Sequence, residues 1–128
     1  MFSHVTLGAH DLQRAIAFYD ASLAPLGIHR VAKKYPDWAA WKRPGEEPKF
    51  WVGLPYNQQP ASSGNGCMVA FRAESRAAVD AAYKAALAAG AHDEGQPGPR
   101  PSYGPTYYGV YVRDQDGNKV HFVCRSES

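Results

Sequence analysis

Two histidines, one arginine and a set of aromatic residues are the side chains of this chain best equipped for chemistry. His121 lies in Lys119-Val-His-Phe-Val-Cys124, where Val120, Phe122 and Cys124 share one face of a strand and Lys119, His121 and Val123 the other. It therefore points away from the most apolar face, and an imidazole titrates close enough to neutrality to take or give a proton. His4 has the same disposition near the N-terminus, on the face of Thr6 and opposite Val5 and Leu7. Arg100 falls in a run rich in Pro and Gly, Gly95 to Thr106, and its planar fork suits a carboxylate or phosphate on a ligand. Tyr103 and Tyr107 can stack or donate hydrogen bonds beside it. A packed surface loop, with Arg100 in an ordinary salt bridge, is the alternative for that segment.

These residues need elements to hold them. Phe2 to Gly8 alternates as a half-buried strand. Asp11 then caps a helix whose apolar stripe is Leu12, Ala15, Ile16, Tyr19 and Leu23, closed by Pro25 and Gly27. Short extended runs follow at Ile28 to Lys34, Trp38 to Lys42 and Lys49 to Leu54, separated by turn-forming clusters. After a polar segment rich in Pro, Gly, Ser, Asn and Gln, the pattern restarts. Met68 to Ala73 alternates, Ser75 caps a helix with the stripe Val79, Ala82, Tyr83, Ala86 and Leu87, and Gly90 closes it. A short extended run near His92 precedes the loop. The chain ends in two strands, Tyr107 to Cys124, joined by a turn of Asp114, Asp116, Gly117 and Asn118.

The two halves overlay at one offset of 64 residues, Val5 on Val69, Asp11 on Ser75, Tyr19 on Tyr83 and Leu23 on Leu87. A duplicated β-α-β-β-β unit explains this better than two unrelated amphipathic helices. The expected fold is α+β. Two βαβββ modules, 1–55 and 67–125, flank a linker at 56–66 and form a cupped, half-barrel mixed sheet with the helices outside. One helix covers only one face of its sheet, so the inner face meets a second unit or a ligand. That face carries His4, Thr6, Trp51, Gly53, Met68, Ala70, Tyr107, Tyr111 and His121. Such an aromatic wall with a few polar groups suits a small-molecule pocket, although the same residues can fill a closed core.

Composition removes other classes. The chain has 128 residues, 45% hydrophobic and 20% charged, the balance of one globular domain. A formal charge of +2 with scattered basic residues argues against nucleic acid. No apolar run is long enough to cross a bilayer, and no secretion signal is apparent. Cys67 and Cys124 lie far apart with no CxxC, which predicts two reduced cysteines and a cytoplasmic location.

The opening His4-Val-Thr-Leu-Gly, then Asp11-Leu-Gln-Arg-Ala-Ile-Ala-Phe-Tyr with Leu26-Gly27, and the closing Asp114-Gln-Asp-Gly-Asn-Lys-Val-His121 resemble the vicinal-oxygen-chelate superfamily. Its members include glyoxalase I, bleomycin- and fosfomycin-resistance proteins and extradiol dioxygenases. The resemblance implies a divalent ion on the cupped face, with ligands from the first and last strands of each module. Those positions fall on His4, Met68 and His121, with the fourth near Trp51. Two can ligate and two look hydrophobic, so no cofactor is firmly expected. Zn²⁺, Ni²⁺ or Fe²⁺ would be held weakly by His4 and His121 alone. Without metal, both histidines act as acid/base groups. The resemblance further implies a homodimer, which with a vestigial pocket would be mainly a scaffold, and two other candidate functions. One is a glyoxalase-like lyase or isomerase acting on a small oxygenated metabolite, which Arg100, Tyr103 and Tyr107 hold. The other is a non-catalytic protein of the bleomycin-resistance kind, sequestering an aromatic and even cationic compound between Trp51, Tyr107 and Tyr111.

Overall fold

A computed structural model describes residues 1–126. The elements, in chain order, are β1 (Val5–Gly8), α1 (Leu12–Leu23), β2 (His29–Arg30), β3 (Trp38–Lys42), β4 (Phe50–Gly53), β5 (Val69–Arg72), α2 (Arg76–Ala88), β6 (His92–Pro99), β7 (Tyr108–Arg113) and β8 (Lys119–Cys124). They form two four-stranded mixed sheets of identical topology, β1-β4-β3-β2 and β5-β8-β7-β6, not closed into a barrel. In each, the first strand pairs in parallel with the last and every other pairing is antiparallel. The duplication is therefore built into the sheet order as well as the helix pattern.

Both helices begin at the expected caps. The Asp11 carboxylate accepts from Arg14 N at 3.2 Å and the Ser75 hydroxyl from Ala78 N at 3.0 Å. After the helices, Gly27 and Gly90 adopt φ of 73° and 101°, a left-handed conformation that only glycine takes cheaply. α1 buries Ala15, Phe18, Tyr19, Ser22 and Leu23, and α2 buries Val79, Ala82 and Ala86. Leu87, expected in the second stripe, is 37% exposed, because Ala82 and Ala86 bring the other flank of α2 against the core. Each helix covers its own module's sheet, and the two helices also pack on each other. A single apolar core runs through both modules, joined by Phe50 and Phe71 edge to face at 4.8 Å.

Two expected elements differ. The run Ile28 to Lys34 contributes only His29–Arg30 to the first sheet, since Lys33, Lys34 and Tyr35 leave it for the turn before Trp38. The expected loop from Gly95 starts late. β6 continues to Pro99 against β7, with irregular register between Asp93 and Gly98, and only Pro101–Tyr103 forms a 3-10 turn. A bulged edge strand tolerates the Gly and Pro that argued against one.

The turn between β7 and β8 is where the modules lock together. The Asp114 carboxylate, 3% exposed, accepts Tyr19 Oη from α1 at 2.5 Å and Asn118 Nδ2 at 3.0 Å. Its other oxygen accepts the Asp116 and Asn118 backbone N–H groups, both at 2.9 Å. Asn118 Nδ2 also donates to Gly8 O of β1, and Asp116 accepts His10 N at 2.8 Å. Burial and the adjacent Asp114 carboxylate push the Tyr19 hydroxyl well above its ordinary range, so it remains a donor. Replacing Asp114 with Ala strands Tyr19 Oη and two backbone N–H groups in the interior. The expected loss is about 2–4 kcal/mol by chemical denaturation, against about 1 kcal/mol for Tyr19→Phe. Equal losses in the two variants would show that Asp114 acts on Tyr19 alone.

Candidate functional site

The registers of the two sheets align four positions on the concave side. His4 and Met68 precede β1 and β5 at the same offset. Thr6 pairs with Trp51 as Ala70 pairs with His121, so Trp51 occupies in the first module the place of His121 in the second. His4 is exposed, its Nδ1 2.8 Å from Ser3 Oγ. Met68 is 44% exposed. The half-buried Trp51 meets the edge of Tyr35 at 5.3 Å between centroids.

His121 is fully buried. Its Nδ1 lies 2.8 Å from Val110 O, and because a carbonyl only accepts, Nδ1 carries the proton. Nε2 is then the acceptor for Tyr107 Oη at 2.7 Å. The ring stacks on Tyr111 at 4.1 Å and lies near-parallel to Tyr107 at 5.8 Å. Gly109 makes the space, since a Cβ there would lie 2.4 Å from His121 Cε1. Burial above all lowers the His121 pKa below its ordinary 6.5, with Arg100 and Lys119 adding to the effect and the Val110 bond opposing it.

Module one closes its concave face differently. Pro55 and the first half of the linker, to Ser62, fold back over Thr6, Leu7, Gly8 and Trp38, leaving a hollow of about 350 Å³, and a Cβ on Gly8 would lie 3.0 Å from Ala61 Cβ. Module two leaves its concave face open, with a hollow of about 670 Å³. Tyr111, Arg113 and Lys119 form its floor, Arg100 and Tyr103 one wall, and Cys67 and Met68 another. A third hollow of about 430 Å³ opens at the seam between β1, β4 and β5, lined by Val5, Trp41, Phe50, Met68 and Phe71, with Phe2 at its rim.

Arg100, Tyr103, Tyr111 and Met68 thus meet around one hollow, whereas Tyr107 and His121 lie behind Tyr111 and do not line it. Trp51 belongs to the other module's face, and no hydrogen bond or ring contact joins His4 to His121 among the described residues. Gly109, Lys119, Arg113 and Glu94 were not singled out from the sequence. Gly109 was readable only from the β7–β8 register, which sets it beside His121's strand. Lys119 carried a signal, its face being shared with His121.

A divalent centre needs three or more nitrogen, oxygen or thiolate ligands. Here Met68 and Trp51 occupy two of the four aligned positions, and both His121 nitrogens are engaged inside the protein. No group of three or more His, Cys, Asp and Glu side chains is disposed to hold an ion among the described residues. The donor set does not fit such a centre. Cys67 is exposed and Cys124 buried, and the two are unpaired. No helix among the described residues is long and apolar enough to cross a membrane.

This paired-module fold, with its alignment of first- and last-strand positions, places the chain in a known class. Residues 1–122 match the Glyoxalase/Bleomycin resistance protein/Dioxygenase superfamily, and the chain belongs to that family. It is similar to a glyoxalase/bleomycin resistance protein from Albidiferax ferrireducens T118, at 39% identity and a TM-score of 0.85, covering 98% of this chain and 99% of the other. It also resembles the uncharacterized protein PA2024 of Pseudomonas aeruginosa PAO1, 33% identical over 94% of this chain and 85% of that protein. A glyoxalase/bleomycin resistance protein/dioxygenase family enzyme from Burkholderia phytofirmans PsJN shares the fold at 20% identity and a TM-score of 0.73, over 97% and 98% of the two chains.

The lowered His121 pKa has a consequence for stability. Folding keeps the ring neutral, while the unfolded chain takes a proton as pH falls past the ordinary 6.5. The contribution is complete above that pH and declines as the solution is acidified below it. Between about pH 7.5 and about pH 5, the wild type should lose more thermal stability than His121→Gln, read by melting curves in matched buffers. Parallel losses would mean that the ring titrates alike folded and unfolded.

Proposed function

We propose that this chain is a small-molecule-binding member of the superfamily whose ligand lies in the open hollow of the second module, with its ring system against Tyr111. The observation that carries this reading is the commitment of both His121 nitrogens to Tyr107 and Val110. A ring so held serves as the rigid backing of an aromatic floor, and Tyr103, 62% exposed, adds a second aromatic ring to the wall of the same hollow. Binding rather than metal-assisted turnover is the function that these residues support, in a protein of cytoplasmic location.

One contact favours a second reading. The Tyr107 hydroxyl donating to a tautomerically fixed His121 is also the geometry of an acid/base pair, His121 receiving the tyrosine's proton as Tyr107 takes one from a ligand that reaches it from beside the hollow rather than within it. A lyase or isomerase of glyoxalase type would use it. Titrating the metal-free protein with aromatic compounds, by calorimetry, should reveal saturable binding. Tyr111→Ala should weaken it about tenfold, the worth of one aromatic contact with its packing. A divalent ion retained stoichiometrically, with turnover of a glutathione hemithioacetal lost in both His4→Ala and His121→Ala, would replace this reading with the enzymatic one.

We further propose that two copies associate through the seam hollow, where Met1 and Phe2 are exposed and β1 and β5 each have a free edge. Sedimentation equilibrium should give twice the chain mass, and Phe2→Asp should shift it toward the monomer. A monomer at all concentrations would exclude the pairing.

A further inference from the structure

The hollow of the second module is distinguished by its charge. Three cations line it, Arg100, Arg113 and Lys119, against one carboxylate, Glu94. Arg113 is already neutralised, its Nε donating to Glu94 at 2.5 Å and its Nη1 to Gly117 O at 2.9 Å. Arg100 and Lys119 are not. No ion pair among the described residues involves either.

Both charges bear on one ring. Arg100 Cζ lies 5.5 Å and Lys119 Nζ 5.1 Å from the centroid of Tyr111. Two like charges gathered on a half-buried aromatic ring repel each other, and cation–π attraction offsets this only in part.

Arg100 also cannot swing away. Its Nη1 donates to Gly98 O at 3.0 Å and Pro99 O at 3.3 Å, and its Nη2 to Gln96 O at 2.8 Å. Gly98 leaves room for it, since a Cβ there would lie 3.3 Å from Nη1. The Nε–H and one Nη2 proton have no acceptor among the described residues. A held cation with spare donors, beside a second free cation and over a ring, is a prepared receptor for an oxyanion.

We infer that the ligand is an aromatic oxyanion, a carboxylate or a phosphate ester, with its charged group between Arg100 and Lys119 and its ring on Tyr111. This deepens the binding reading and rests on it. It also turns away the cationic aromatic compound that the resemblance suggested, because a third positive charge would enter a site holding two.

The test is a matched series added to ¹⁵N-labelled protein: 2-naphthoate, 1-naphthyl phosphate, 2-naphthalenemethanol and 2-naphthylmethylammonium. The anions should shift the amides of Tyr111, Lys119 and Arg100 and bind about tenfold more tightly than the neutral alcohol. The better of the two anions tells carboxylate from phosphate. Lys119→Gln should remove most of that preference while leaving the ligand-free melting temperature unchanged or higher, since it relieves repulsion. A purely structural Lys119 would instead lower the melting temperature. Tighter binding of the alcohol or the ammonium compound would overturn the charge assignment and leave the hollow a binding site. No shift at those amides with any of the four would overturn the binding reading as well.

Discussion

A buried carboxylate is the hub of the directional bonds that fix the two halves of this molecule against each other. Asp114 stands at the end of β7, in the second module, yet its acceptors serve Tyr19 of the first module's helix and Asn118, which in turn reaches Gly8 of the first strand. An ionised group with 3% exposure persists only if its lone pairs are filled, and here four donors fill them. The apolar core could tolerate sliding of one sheet past the other, because dispersion is non-directional. The carboxylate cannot, because each bond has its own angle and length. What the turn Asp114-Gln-Asp-Gly-Asn contributes is therefore the angle between modules, and with it the shape of every hollow that spans or borders them.

The duplicated modules then take opposite courses on their concave faces. In the first, Trp51 lies against Tyr35, and the linker folds over the strand that follows His4. In the second, the equivalent place holds His121, which is small enough to lie flat behind Tyr111 once Gly109 removes the intervening Cβ. A Trp at one place and a His at the other is how one fold, repeated, yields two differently lined faces, the second with the larger hollow. The linker matters to this asymmetry. It does not hang free between modules, since Ser63 also approaches Gly117 of the hairpin turn, so it lies against the same region as the Asp114 network.

Most of the architecture was legible from local patterning. Caps at Asp11 and Ser75, stops at Gly27 and Gly90, and alternation at Val5, Val69 and Val120 each express a local energetic preference, and the offset between halves supplied the topology. What failed was local in a different sense. β6 was obscured because Gly95, Pro97 and Gly98 weaken a strand's own preference, while pairing with Tyr108 to Tyr111 on β7 supplies the missing stabilisation from outside. The site was less legible than the fold. Parity showed which residues face inward, and His121, Tyr111 and Trp51 do follow it. Parity cannot show whether an inward ring lines a hollow or lies behind another ring. That depends on Gly109 and on the path of residues 96–100, neither of which is a matter of periodicity.

The position of Arg100 shows why the distinction matters for chemistry. Had it formed an ordinary salt bridge, the hollow would keep the charge of Lys119 alone and its selectivity would rest more on shape. Backbone carbonyls hold it instead, and a carbonyl orients a guanidinium without cancelling its charge. The same field reaches through Tyr111 to His121, where Arg100 and Lys119 oppose protonation. A site that keeps its one interior imidazole neutral, and its cations uncancelled on the other side of a tyrosine ring, separates two tasks on one strand pair. The buried side maintains the floor's geometry, and the open side carries the charge that selects what rests on it.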